Sequence, residues 1–514
     1  MAEVEVHGDI PLLARMDGEV REDIRAVESK CLFAQNGKLM DCSTALAVYD
    51  SYDLSFATMV IQLFLSHSWI TDGWLKVLGL RYHFYFVPAM LTGSLVSMAC
   101  TWAEFYGLLK MPILGHCTIS EGSLVEFNLS YSWWLGAIVF GLLFFFGEHV
   151  FGCKSCFLDR CCIHQDNIEL KEKGIKALGD TLRLSDKMVI LWQREYFTRL
   201  WCTFELATYI RFHGSKKIVL VPLNHVPFVL LMTAFHFVAA VGFDVVAPYL
   251  AWSPWFAELV AKYVPTALGQ LAFMSMVHFV MLVAFYMATT PLAFEFFRKS
   301  IDDRRALEEQ LANYTIRACK CYDERDRFFV EAKVLEYFGT LEEFDRQVRQ
   351  LMRQQMEAVL GRTIMPYTTL LMMEWAHIMF AFALYVHTPH KNYGHIMIMW
   401  CAIVFATDML AMYVIQLVVS CIHDSPSKWL QKHSWWIGPI TLASIFGMFT
   451  AVAMCFLYPR LAWTCKAIPL VLMVLITWKI YGVVEMMTCS SGQDSDAERQ
   501  ERNESRQQLM ADLQ

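Results

Sequence analysis

The chain has 514 residues, 56% of them apolar and 18% charged, with a formal net charge of −7. A soluble domain carries about 25% charged residues. The low charge, a mean hydropathy of +0.37 and recurrent apolar runs argue against an ordinary soluble enzyme and for a polytopic membrane protein. No basic cluster is interleaved with aromatic residues, so no nucleic-acid partner is expected.

Residues 1–56 are acidic and weakly patterned. They read as an N-terminal cytosolic segment of short helices, and the lack of a basic stretch leading into an apolar one argues against a cleavable signal. Residues 57–66 form a continuous apolar run ending in Ser66-His67-Ser68-Trp69, the pattern of a buried strand. About eight transmembrane helices are expected next, near 85–108, 131–151, 227–251, 267–293, 368–388, 395–421, 436–458 and 467–488. Each reaches the roughly 20 residues needed to cross the hydrocarbon layer, and lipid leaves no partner for a non-helical backbone.

Lys and Arg are dense in 152–226 and 296–366 and sparse in the alternate loops. The positive-inside bias therefore puts both large polar segments and both termini in the cytoplasm. The sequon Asn128-Leu129-Ser130 then falls outside, and the sixteen cysteines default to reduced thiols. The expected partition is 1–56 cytosolic, 57–84 and 152–224 as two halves of an α/β domain, 85–151 and 227–293 as transmembrane hairpins, 296–366 as a cytosolic helical segment, 367–488 as a four-helix transmembrane region and 489–514 as a disordered polar tail. In the helical segment, Thr340-Leu341-Glu342-Glu343 fits a capping box opening a helix to about Leu360.

The α/β domain is read strand by strand. Cys156 to Asp159 is a short strand, 169–185 a helix, Met188 to Trp192 a strand, Leu200 to His213 a helix and Lys217 to Pro222 a strand. Alternation at these lengths predicts a parallel sheet with right-handed crossovers. The strand ending at Ser66 can join it across the first hairpin. Ligands of such sheets bind beyond the carboxyl ends of the strands, where Ser66-His67-Ser68, Asp159-Arg160 and the residues after Gln193 sit.

FLSHSW (64–69), CFLDRCCIHQDN (156–167) and above all GIKALGDTLRLSDKMVILWQREYFTRLWCTFEL (174–206), with its Trp201-Cys202-x-x-Glu205-Leu206, resemble the Toll/interleukin-1 receptor (TIR) fold of plant and protist type. The match covers roughly 90 residues in two blocks. The expected fold class is thus a mainly α-helical polytopic membrane protein with a small cytosolic TIR-like, flavodoxin-like parallel-sheet domain split by a transmembrane hairpin. The resemblance implies a signalling module that self-associates, that meets other TIR-like proteins and the lipid bilayer, and that cleaves NAD as substrate, with no bound cofactor. By the same resemblance Glu205 is the catalytic acid. His67, Ser68, Asp159, Arg160, Trp201 and Cys202 line the crevice as candidate substrate contacts. The sequence departs from the family in the spans between the first two strands and in lacking a fifth strand after Pro222. A non-catalytic scaffold, and a channel or transporter with a cytosolic regulatory domain, stay open.

Glu205 is otherwise an ordinary acid near a helix N-terminus, favoured by the macrodipole, and Trp201 and Cys202 are ordinary packing residues. Cys153, Cys156, Cys161, Cys162 and His164 have a spacing that zinc can use, with buried or loop thiols as the alternative. No metal is assigned. Asp244, Glu374, Asp408, Lys479 and Glu485 lie in apolar runs, and Asp408 is the polar transmembrane candidate.

Overall fold

The computed structural model describes residues 21–40, 51–119, 123–214, 217–242, 245, 267–321, 324–360, 365–387, 405, 409 and 411–422. The chain divides into two compact units. One draws on Met1–Val77, Glu148–Val221 and Thr315–Gln347, the other on Leu78–Gly147, Pro222–Tyr314 and Val348–Gln514.

In chain order the strands are β1 (Arg25–Glu28), β2 (Phe56–Ala57), β3 (Ile61–His67), β4 (Ile113–Ile119), β5 (Ser123–Asn128), β6 (Ser155–Phe157), β7 (Ser185–Trp192) and β8 (Ile218–Pro222). The first unit is built on a six-stranded sheet ordered β2-β1-β6-β3-β7-β8, whereas β4 and β5 form a separate antiparallel hairpin. β3 runs parallel to both β6 and β7. Its seven residues are buried except Gln62, and the last five of β7 are buried. Such near-continuous apolar strands are the ones covered on both faces. The run β6-β3-β7-β8 places the second strand before the first, third and fourth, the order of flavodoxin-type sheets.

The sheet is mixed, which corrects the expectation of a purely parallel one. β1 pairs antiparallel with both β6 and β2. The cause lies in residues 21–57, whose short strands Arg-Ala-Val-Glu and Phe-Ala carry too little periodicity to be read locally. Arg25 on β1 anchors the return of the chain. Its guanidinium lies 4.1 Å from the Tyr52 ring centroid, and its Nε donates to Ser55 Oγ at 2.8 Å.

Two further elements complete this unit. The helix Ile168–Leu184 opens at Asn167, whose side chain accepts from Leu170 N at 3.2 Å. Ile316–Ala318 and the helix Glu324–Phe338 form a strap, followed at Gly339 (φ 83°) by the helix Leu341–Leu360. Thr340 Oγ1 accepts from Glu343 N at 3.0 Å at the start of that helix. Tyr337 approaches the helix Ile168–Leu184 so closely that a Cβ at Gly179 would collide with its hydroxyl.

The expectation of about eight transmembrane helices is overturned. Among the described residues two helices, Gly73–Phe105 and Ser132–His149, are long and apolar enough to cross a membrane. The run 368–388 is cut at Glu374 into Tyr367–Met373 and Trp375–His387. Glu374 is buried there, 2.7 Å from His236 Nε2. The described helix within 227–251 has 17 residues, His225–Val241. The run 267–293 is part of a 46-residue helix, Ala267–Ala312, that continues past Pro291 into charged sequence. Apolar length alone cannot separate a helix facing lipid from one covered by protein: Phe228 and Phe296 stack at 3.9 Å inside the unit's own core. The runs 436–458 and 467–488, and most of 395–421, lie outside the described residues, as do Asp244, Asp408, Lys479 and Glu485.

The two candidate helices are apolar outward and small or polar inward. On Val87–Phe105, Leu91, Leu95, Met98 and Trp102 are exposed, and Ala89, Gly93, Ser97 and Thr101 are buried. On Ser132–Phe146, Leu135, Ile138 and Leu142 are exposed and Gly136 is buried. Small residues on the contact face let the backbones approach. A Cβ at Gly93 would stand 2.7 Å from the Gly136 carbonyl.

Candidate functional site

The crevice lies at the carboxyl ends of β3, β6 and β7. The helix Leu200–His213 enters beside it with no side-chain cap at Arg199. Its first-turn N–H groups need other acceptors, and the strap supplies one. Leu200 N donates to the Lys320 carbonyl at 3.2 Å, and Lys320 N donates to the Thr198 carbonyl at 2.7 Å. The helix is buried from Cys202 through Ile210, so its acid must be accommodated inside.

Cys202 and Glu205 are three residues apart and share the face toward β3. Cys202 Sγ meets the His67 carbonyl at 3.4 Å. Glu205 is 9% exposed, and its Oε2 accepts from Ser66 Oγ at 2.6 Å. Ser66 Oγ also lies 2.6 Å from the hydroxyl of Tyr196, which reaches the Cys202 carbonyl at 3.2 Å. Tyr196 is fully buried in the turn between β7 and the helix. Burial raises the Glu205 carboxyl to about 8, the Ser66 hydrogen bond opposing and nearby Asp159 reinforcing the rise. Burial also pushes the Cys202 thiol and the Tyr196 phenol well above their ordinary values.

The other sequence candidates are placed around this centre. His67 is buried with Nε2 4.0 Å from Asp159 Oδ1. Burial, together with the positive charge of Lys76, lowers its imidazole to about 4 against the pull of Asp159, so it is neutral at pH 7. Asp159 Oδ2 accepts from Trp69 Nε1 at 2.5 Å, and Oδ1 accepts from Arg160 N at 2.7 Å. The Arg160 carbonyl receives Ser51 Oγ at 2.9 Å. Ser68 is 2% exposed and its hydroxyl has no hydrogen-bond partner among the described residues, and the same holds for Thr71 at 5%. Two buried hydroxyls left open in the loop that follows β3 are what a polar ligand would satisfy.

Trp201 engages the strap. Its Nε1 donates to Asp326 Oδ2 at 3.1 Å and its ring tilts against Phe329 at 6.2 Å. Cys156, Cys161 and Cys162 are buried, and His164 Nδ1 accepts from Asp166 N and Asn167 N. Among the described residues no group of three or more His, Cys, Asp or Glu side chains could hold a metal ion.

Sequence reasoning put Ser66 and the turn after Gln193 at the crevice but gave no role to Ser66 or Tyr196. Ser66 had a signal, as the one hydroxyl inside the apolar run of β3. Tyr196 had none, because a turn tyrosine gains its role only when the chain closes over β3. No family model, curated protein or solved structure matches this chain, so the reading rests on its own residues.

Proposed function

We propose that the first unit is a membrane-anchored, TIR-like signalling module that cleaves NAD at the nicotinamide–ribose bond, with Glu205 as the carboxylate beside the ribose. The supporting observation is a lone buried carboxyl at the carboxyl end of parallel strands, held on one oxygen by Ser66 and kept near 8 by its surroundings. Buried acids with strongly shifted titration concentrate at functional sites. The outward apolar faces of Val87–Phe105 and Ser132–Phe146 support the anchorage.

Cleavage of this bond passes through an oxocarbenium-like transition state. A carboxylate there stabilises the developing positive charge. Nicotinamide leaves as a neutral molecule, so no general acid is required. Water adds to the sugar carbon and gives ADP-ribose, with one proton released. In the free protein most Glu205 carboxyls are protonated at pH 7, and the cationic nicotinamide ring favours the charged form. Binding then expels a proton, and kcat/KM rises with pH to a plateau above about 8, with the kcat midpoint lower.

A second reading, a non-catalytic scaffold, draws on the exposed Trp69, Ile70 and Trp74 in and after the β3 loop. The full chain in nanodiscs, incubated with NAD at pH 8 beside Glu205→Ala and Glu205→Gln, separates the two. Nicotinamide release by the wild type alone supports cleavage. No turnover by any of the three, even when clustered, leaves association as the function.

A further inference from the structure

We infer that Ser66 and Tyr196 form a two-hydroxyl chain that reverses direction when Glu205 gains or loses its proton, and that Tyr196 is a positioning residue acting on Glu205 through Ser66.

The argument is a count of hydrogens. Glu205 Oε2, Ser66 Oγ, Tyr196 Oη and the Cys202 carbonyl oxygen lie in series at 2.6, 2.6 and 3.2 Å. With Glu205 charged, the two hydroxyls supply two hydrogens for three links. Ser66 must donate to the carboxylate, since an ionised oxygen can only accept. Tyr196 then donates to Ser66, and the link to the Cys202 carbonyl is empty. With Glu205 protonated there are three hydrogens and all three links fill. Glu205 donates to Ser66, Ser66 to Tyr196 and Tyr196 to the carbonyl. The change needs only two O–H rotations. No proton passes along the chain.

The two hydroxyls therefore act on Glu205 with opposite sign. Ser66 gives the charged form its charge-assisted bond, stronger than a neutral one. Tyr196 contributes one bond to the charged form and two to the protonated form. The charged and titratable groups of the neighbourhood are Asp159 from the β6 loop, Cys202, neutral His67 on β3, and Arg199 and Lys76, of which Arg199 and Lys76 act on Cys202 and Lys76 also on His67. Of these, Asp159 acts on Glu205 directly and adds to the preference for the proton.

As regulation of NAD cleavage this rests on the function proposed above. As a statement about one proton it does not, so the test reads the proton. Infrared difference spectra of the full-length protein are recorded against pH without substrate, and the carboxyl band lost in Glu205→Gln identifies Glu205. Ser66→Ala is expected to raise its midpoint and Tyr196→Phe to lower it, each by about 0.5–1 pH unit, the worth of roughly one hydrogen bond. Both variants delete a single oxygen. Shifts of the same sign, an unmoved midpoint in Tyr196→Phe, or no Glu205 band titrating above about pH 6 would overturn the inference. Failure of turnover with opposite shifts intact would count against NAD cleavage alone.

Discussion

Trp201 and Glu205 stand one turn apart on the same helix and engage opposite partners. Trp201 Nε1 is bonded to Asp326 on the strap, and Glu205 to Ser66 on the central strand. The helix is thus clamped between sheet and strap, and the Trp-Cys-x-x-Glu pattern divides into an anchoring residue and a site residue.

Trp201→Phe should therefore cost stability without touching substrate binding. It removes a half-buried hydrogen bond and keeps most of the ring contact with Phe329, a loss of about 1 kcal/mol. Asp326→Leu should match it, and the double variant should cost little more than either single change. Thermal midpoints, together with KM in the proposed NAD cleavage, check this. A raised KM with an unchanged midpoint would return Trp201 to the crevice.

Stability of the first unit should fall as pH rises from about 6.5 to 8. Glu205 titrates near 8 folded against 4.5 unfolded, so the folded state holds more protons between those values and stability drops with rising pH. His67 titrates near 4 folded against 6.5 unfolded, so the unfolded state holds more protons between those values and stability climbs. The two slopes roughly cancel from 4.5 to 6.5 and leave Glu205 alone above. About 1.5 pH units at about 1.4 kcal/mol each give a decline of order 2 kcal/mol. Glu205→Gln should abolish the decline, as read by thermal unfolding of the detergent-solubilised chain at stepped pH. A decline that survives in the variant would locate its cause elsewhere.

The elements that frame the site were legible because their signals are local. β3 and β7 are uninterrupted apolar runs, and the helix Leu200–His213 follows β7 after a polar turn. The place of Ser66 at the crevice was legible because it is odd within its own strand, whereas the role of Tyr196 arises only in three dimensions. The pairing of Leu200 with Lys320 spans some 120 residues and no periodicity encodes it. The spans were overcounted because Phe228, Phe296 and Met232 bury in a protein core with side chains as apolar as any facing lipid.

The hairpin between Val87–Phe105 and Ser132–Phe146 should be intolerant at its centre and tolerant outside. A Cβ at Gly136 would meet the Gly93 carbonyl at 2.7 Å and Ser97 Cβ at 2.8 Å, both parts of a facing helix that cannot yield separately. Gly136→Leu is expected to cost about 3 kcal/mol or more, at the upper end of overpacking. Leu91→Ala, at a position 56% exposed, should change the midpoint little. A large loss in Leu91→Ala would mean that its face is covered by protein.

Glu104 should be more sensitive to substitution than the hydroxyl partners around it. It is 3% exposed at the end of Val87–Phe105, with Oε2 accepting from Ser130 Oγ at 2.8 Å and Oε1 from Tyr131 N at 2.7 Å. His387 Nε2, at the end of Trp375–His387, lies 2.8 Å from Oε2. One carboxylate thereby ties the ends of three helices. Glu104→Ala removes the acceptor from all three groups at once, and leaving buried donors without a partner costs about 1–3 kcal/mol for each one that stays unsatisfied. Glu104→Gln keeps one acceptor oxygen and should cost about half as much, and Ser130→Ala, which deletes one donor, about 1 kcal/mol. Thermal midpoints of the solubilised full chain should fall in that order. A Glu104→Ala loss no larger than that of Ser130→Ala would show that the helix ends are held by their apolar contacts and that the carboxylate merely fills the space between them.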